Sequence, residues 1–132
     1  LAAEPISRTG EPFFKFSLAA YSYRSLLTGD SPALKLEDFV RDCAAFGLAG
    51  TELTSYYFPP EPTGEYLIGL KKLCFDLGLD VSGTAIRGDF GVQGEAALRK
   101  EIHDVKTWID RAAVLGAPAI RIFAGHVPKG AD

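Results

Sequence analysis

The chain has 132 residues, of which 47% are hydrophobic and 23% charged, a balance typical of a single globular domain. Its net charge of -3, with no basic run longer than two residues, argues against partners such as nucleic acid or an anionic membrane surface. No apolar stretch approaches the roughly 20 residues that cross a bilayer, so we expect no membrane segment.

The first segment, residues 1–12, is polar, contains Gly and Pro and shows no hydrophobic period. We interpret it as an extended arm or a processed end. The chain has no Met and begins at Leu1, so we expect it to be processed or to be part of a longer chain. Its compartment stays open, because neither this segment nor the cysteines indicate one.

Residues 13–132 alternate strand patterns with helix patterns. Period-2 alternation predicts strands over residues 14–20, 49–54 and 80–86 and from residue 119 onwards. A 3.6-residue period predicts helices over residues 36–46, 66–77 and 98–112. Cys43 and Cys74 lie on the apolar helix stripes, so we interpret them as small buried residues rather than as a disulfide or metal pair.

An internal repeat marks each passage from helix to strand, in the segments FGLAGTEL, LGLDVSGT and LGAPAIRI. The spacing is 31 positions from Gly47 to Gly78 and 38 from Gly78 to Gly116. A barrel of eight βα units uses roughly 31 residues per unit. We therefore predict parallel βα units, and we expect the three glycines to end their helices in the left-handed conformation.

The strand faces favour a barrel over a doubly wound open sheet. One face carries polar residues, and a barrel interior can hold them, whereas an open sheet covered on both faces should be apolar. Among them, Glu52 and Arg121 are expected to lie within salt-bridge reach, as a structural pair or in contact with substrate. The polar face is predicted to comprise Lys15, Ser17, Glu52, Ser82, Thr84 and Arg121.

The segments SLAAYSYR, GTEL, SGTAIR and GAPAIRIFAGH, in this order and spacing, resemble the first half of the xylose isomerase-like TIM barrels, the sugar phosphate isomerase/epimerase family. The resemblance covers residues 14–132. It implies an α/β fold, a parallel (β/α) barrel present here as four units and ending before the fourth helix.

This resemblance implies part of a metal-dependent sugar or sugar-phosphate isomerase or epimerase, which transfers a proton next to a carbonyl. An apurinic-site endonuclease of the same superfamily is an alternative, disfavoured by the acidic charge and the scarcity of histidine. A non-catalytic carbohydrate-binding half barrel is another.

The resemblance also implies a divalent metal, Mn, Co, Mg or Zn, in the full-length protein, held at the ends of later strands. We therefore expect this segment to bind no metal tightly and to lack the catalytic base, whose identity stays unknown. Of the two histidines, His103 is expected on a helix surface and His126 alone in its loop. The open edges of the outer strands could pair with a second copy of the chain.

A sugar pocket is the remaining expectation, because sugars are bound by a few polar groups and by aromatic rings. The aromatic candidates lie on loops after the first three strands, at the end where barrels bind ligands. Tyr21 and Tyr23 are equally suited to covering the end of the sheet. The predicted substrate-binding residues are Tyr21, Tyr23, Tyr57, Phe58, Phe90, Glu52, Arg121 and His126. The loop cations Arg24, Arg87 and Lys129 could meet a phosphate.

Overall fold

The computed structural model describes residues 14–127. Its sheet has four strands in the order β1-β2-β3-β4, and each neighbouring pair is parallel. The strands are β1 (Ser17–Ala19), β2 (Gly50–Thr54), β3 (Asp80–Ala85) and β4 (Ile120–Arg121). The predicted parallel α/β fold is confirmed, and the arrangement fits part of a TIM barrel. The predicted arm, residues 1–12, lies outside the described residues.

Three helices connect these strands in the predicted order, namely α2 (Leu36–Ala45), α3 (Gly64–Asp76) and α4 (Glu95–Leu115). A short helix that was not predicted, α1 (Arg24–Leu27), precedes them in the segment after β1. The loops after β1 and β2 are more ordered than expected, since they contain 3₁₀ turns at Ala20–Tyr23 and Ser55–Tyr57. Within residues 14–127, no helix combines the length and apolar character needed to cross a membrane.

The hydrophobic core lies between the sheet and the helices α2, α3 and α4. Phe39 of α2, Leu70 of α3 and Leu115 of α4 are almost completely buried there. Cys43 and Cys74 are also buried, and neither forms a disulfide. Burial raises the pKa of the Cys74 thiol to about 11, so this thiol stays protonated and unreactive near neutral pH. The cysteines thus behave as small core residues, as predicted.

Three glycines end the longer helices in one shared geometry. Gly47, Gly78 and Gly116 have φ values of +70°, +69° and +80°, which confirms the predicted left-handed conformation. In each case the next residue's amide donates to a carbonyl five positions back. The donor and acceptor residues are Leu48 and Cys43, Leu79 and Cys74, and Ala117 and Ala112. This is the Schellman arrangement, and it explains why these acceptor residues occupy equivalent places in the repeat.

Replacing Gly47 or Gly78 by Ala is expected to lower the free energy of unfolding by about 1 kcal/mol. A Cβ at either position would meet no atom within 4 Å, so the cost comes from the backbone conformation alone. Gly69, inside α3, offers a matched control with equally open space. Gly69→Ala should instead stabilise by roughly 0.5–1 kcal/mol, since Ala favours helix interiors. Urea unfolding measures all three variants, and an equal loss in each would contradict the prediction.

A register shift between β2 and β3 changes which residues share a face. Thr51 pairs with Val81, but the next residue of β2, Glu52, already pairs with Gly83. Ser82 is therefore an extra residue in β3, that is, a β-bulge. Because side chains alternate along a strand, one extra residue reverses the faces of all residues after it.

Thr84 shows the consequence of this bulge. The prediction that it lies on the polar inner face is wrong: it is buried on the helix side, where the indole Nε1 of Trp108 donates to its hydroxyl over 3.0 Å. Other residues that were predicted to lie on the inner face do lie there. The hydroxyls of Ser17 and Ser82 are 2.6 Å apart there, and Lys15 contacts Asp80 at 3.3 Å.

Candidate functional site

A cleft of about 930 Å³ opens at the carboxyl ends of β3 and β4. Its walls come from residues 87–89 after β3, from α4, from β4 and the residues that follow it, and from one tyrosine of each 3₁₀ turn, Tyr21 and Tyr56. This is the end of a parallel barrel at which ligands bind. The cleft is therefore the candidate functional site.

Asp89 joins the segments that follow β3 and β4. Its Oδ1 accepts hydrogen bonds from the backbone amides of Gly91 and His126, both at 2.9 Å. Its Oδ2 lies 3.1 Å from Nδ1 of His126. The Asp89 amide in turn donates to Glu101 of α4 over 3.0 Å. One carboxylate thereby holds His126 against the loop after β3, so the expectation that His126 stands alone is wrong.

The hydrogen bonds of Asp89 also favour its ionised form. The backbone amide of His126, followed by its ring and by the amide of Gly91, holds the pKa of Asp89 below its ordinary value. An ionised carboxylate can only accept hydrogen bonds, so Nδ1 of His126 is the donor in this contact. In the neutral imidazole the free lone pair then lies on the other ring nitrogen, Nε2. The His126 side chain is 86% exposed, so a ligand can reach it.

Two glycines allow the two segments to approach each other. A Cβ on Gly91 would collide with the carbonyl oxygen of His126, and one on Gly125 would collide with the amide nitrogen of Gly91. Gly125 also has a φ of +123°, a conformation that other residues rarely adopt. The contact between Asp89 and His126 therefore depends on glycine at both positions.

Tyr56 lies between two arginines in the same cleft. The Cζ atom of Arg87 is 4.7 Å from the centroid of the Tyr56 ring, and Nη1 of Arg121 is 3.5 Å from its hydroxyl. Arg121 also stacks on Phe123, with its Cζ atom 4.1 Å from that ring centroid. Tyr21 meets Tyr56 edge to face, at 6.4 Å between centroids. The cleft thus combines aromatic walls with two guanidinium groups.

The predicted substrate-binding residues are not all brought to this cleft. Tyr21, Arg121 and His126 line it. Phe90 lies in a separate depression, beside Gly91 and Gly125. Glu52 is half-buried on the inner face of the sheet, and it lines none of the described pockets.

Three predicted aromatic residues pack into the body of the protein instead. Tyr23 packs edge to face on Phe39, with centroids 5.1 Å apart. Phe58 packs on Trp108 at 5.0 Å and is only 8% exposed. Tyr57 packs against the core beside Tyr56. The 3₁₀ turns explain the positions of Tyr23 and Tyr57, because successive residues of such a turn point in different directions.

The prediction of a salt bridge between Glu52 and Arg121 is wrong. Within residues 14–127 neither side chain has a carboxylate or cationic partner within 4.0 Å. β3 lies between their strands, which separates them laterally by about twice the 4.8 Å strand spacing. Arg121 also pairs with Ala85, two residues beyond the Gly83 that pairs with Glu52.

Sequence reasoning missed several residues of the cleft, among them Tyr56 and Asp89. Tyr56 stands in a run of three aromatic residues, and the pattern gave no way to choose it over Tyr57. Asp89 is one carboxylate in a polar loop, and its partner His126 is 37 positions away. Only the approach of the two loops identifies the pair.

The described residues do not suit a divalent metal. In residues 14–127 no three side chains of His, Cys, Asp or Glu converge as a metal site. The acidic groups of the cleft already have partners: Glu101 accepts from the Asp89 amide, and Asp104 binds Lys100 at 2.6 Å. No metal ligand is therefore assigned among them.

Comparisons with known proteins agree with this fold. A model of the xylose isomerase-like TIM barrel family matches residues 40–132. A crystal structure of a Sinorhizobium meliloti protein matches with a TM-score of 0.62 at 21% identity, over 88% of this chain and 38% of that one. A xylose isomerase-like TIM barrel/4-hydroxyphenylpyruvate dioxygenase fusion protein matches with a TM-score of 0.56 at 22% identity, over 80% of this chain and 15% of that one.

The chain therefore spans well under half the length of either structure. At such identities the likeness shows the fold alone. No curated protein matches the chain.

Proposed function

Because the chain belongs to the xylose isomerase-like TIM barrel family, we propose that it forms part of the active site of a sugar or sugar-phosphate isomerase or epimerase. Such an enzyme removes a proton from the carbon next to a carbonyl and returns it to the neighbouring carbon or to the opposite face. The observation that carries this proposal is the pair of Asp89 and His126 in the cleft, 3.1 Å apart.

The pair has the properties of a proton carrier. Asp89 accepts from Nδ1 of His126, so Nε2 is the ring nitrogen with a free lone pair. When Nε2 takes a proton, the ring becomes an imidazolium, and the adjacent carboxylate stabilises its charge. Returning the proton to the substrate restores the starting state. The ring is exposed and lines the cleft, so a sugar bound there is accessible to it.

The cleft also has the size and composition for a small sugar. Ligand pockets typically enclose about 300–1,000 Å³, and this cleft has about 930 Å³. The rings of Tyr21 and Tyr56 provide apolar surface for the C–H faces of a sugar. Arg121 and Lys100 provide hydrogen-bond donors for its oxygens.

A divalent cation would polarise the carbonyl in this chemistry. We propose that the whole protein binds one, with ligands outside residues 14–127. The part described here contributes the aromatic walls, the cationic groups and the proton carrier.

The test is exchange of substrate hydrogen with solvent. The full-length protein is incubated in D₂O with Mn²⁺ or Co²⁺ and a panel of aldoses, ketoses and their phosphates. We expect deuterium at the carbon next to the carbonyl of one substrate, detected by NMR. A product formed without deuterium would overturn the proton-transfer step.

Two further outcomes of the same experiment would replace the proposed function. Cleavage of an apurinic-site oligonucleotide would identify an endonuclease. Saturable sugar binding without exchange or product would identify a carbohydrate-binding protein.

A further inference from the structure

We propose that this cleft binds the oxyanion of an acidic substrate, a sugar phosphate or a sugar acid, and that Arg87 and Arg121 are its ligands. This deepens the proposed function by naming the substrate class. The inference rests on that function only for the sugar, since the binding of an anion can be measured without any reaction.

The first argument is the placement of the two guanidinium groups. Arg87 follows the end of β3, and Arg121 is the last residue of β4, the neighbouring strand. Both meet the same side chain: Arg87 lies over the ring of Tyr56, and Arg121 approaches its hydroxyl. Tyr56 thereby keeps two like charges on one wall of the cleft.

The second argument is that these charges lack carboxylate partners in the structure. Three of the other four arginines in residues 14–127 pair with an acid: Arg41 with Asp38, Arg99 with Glu95, and Arg111 with Glu61. Arg87 and Arg121 form no such pair with any described residue.

The carboxylates of the cleft have other partners. Asp89 accepts from His126, Glu101 accepts from the Asp89 amide, and Asp104 binds Lys100. The cleft lining carries three acidic and three basic side chains, but no described carboxylate lies within 4.0 Å of Arg87 or Arg121, so the N–H groups of these two arginines are not used in an ion pair.

The third argument is the chemistry of stacked arginine. A guanidinium that lies on a ring uses its face for the ring, so the N–H groups at its edge stay available. Those N–H groups match the oxygens of a phosphate or a carboxylate and can bind two at once. Arg87 is exposed and Arg121 is half-buried, so a ligand in the cleft can reach both. An anionic group held there would place the rest of a small sugar in the cleft that His126 lines.

Isothermal titration calorimetry of the full-length protein at low ionic strength tests this inference. The probes are inorganic phosphate and D-gluconate, with D-glucose as the neutral control. We expect at least one anion to bind with a Kd at least tenfold below that of D-glucose. Tighter phosphate binding identifies a phosphate ester as the substrate group, and tighter gluconate binding identifies a sugar acid. Equal affinity for the anions and D-glucose would overturn the inference.

Variants show whether the named arginines are the ligands. Arg87→Gln and Arg121→Gln should each raise the Kd of the anion at least tenfold. Arg41 is the control, because it is an exposed arginine of α2 that pairs with Asp38 and lies outside the cleft lining. Arg41→Gln should leave the Kd unchanged. An equal weakening by Arg41→Gln would indicate a general charge effect and would overturn the assignment.

Two milder variants keep the test valid if a glutamine variant fails to fold. Arg121→Lys keeps the charge but loses the fork of donors, and Tyr56→Phe keeps the ring but loses the hydroxyl that Arg121 approaches. Each should weaken anion binding at least threefold while circular dichroism stays unchanged, and unchanged binding in both would count against the inference.

Deuterium exchange into a neutral sugar without anion binding would overturn this inference and leave the proposed function standing. Anion binding without any exchange would do the reverse.

Discussion

Replacing His126 by Gln in the full-length protein is expected to lower kcat for the proposed sugar isomerisation about 100- to 10,000-fold, the usual contribution of a positioned general acid or base. Gln keeps a polar side chain of similar reach but cannot take up a proton. His103 is the matched control, since it is the other histidine of the chain and is exposed on α4 outside the candidate cleft. His103→Gln should leave kcat unchanged. Steady-state kinetics on the substrate found by deuterium exchange measures both variants.

Asp89→Asn should lower kcat about 100-fold or more, because an amide no longer selects the tautomer with the proton on Nδ1. Since Asp89 also joins two loops, a separate measurement must distinguish chemistry from loop structure. His126→Ala should regain part of its activity when free imidazole is added, which a purely structural role would not produce. Full activity of His126→Gln would contradict the assignment of the proton carrier.

Replacing Trp108 by Ala is expected to lower the free energy of unfolding by about 3–5 kcal/mol, as for other large buried aromatic residues. Trp108 is 3% exposed, packs edge to face on Phe58 and donates to Thr84. The substitution therefore leaves a cavity between α4 and β3 as well as an unpaired buried hydroxyl. The adjacent Ile109, 49% exposed, is the control, and Ile109→Ala should cost far less.

The two contributions of Trp108 can be separated. Trp108→Phe keeps most of the ring volume but removes the indole N–H, so it should cost about 1–3 kcal/mol for the Thr84 hydroxyl left without a donor. Unfolding in urea should be followed by circular dichroism, because Trp108 is the only tryptophan of the chain and its fluorescence disappears with it. A loss below 1 kcal/mol for Trp108→Ala would show that the core between α4 and β3 is not packed as described.

The bulge at Ser82 is a feature that the sequence pattern could not predict. Strict alternation placed Ser82 and Thr84 on one face, and one unmatched residue moved Thr84 to the other. Nothing in the segment DVSGTA distinguishes a regular strand from a bulged one, because a bulge is a property of two paired strands. The error over Glu52 and Arg121 has a similar origin, since their separation depends on the strand between them and on its register.

The sequence by itself determined the order of the elements, their parallel pairing and the three helix ends. These follow from local chemistry: hydrophobic periods predict helices and strands, and Gly47, Gly78 and Gly116 end helices because only glycine tolerates that conformation readily. Which residues meet in the candidate site was decided by the tertiary structure alone. Asp89 meets His126 across 37 positions, and Arg87 meets Arg121 at one tyrosine. These contacts depend on how loops from neighbouring strands converge in space. A hydrophobic period in the sequence carries no information about contacts between residues so far apart in the chain.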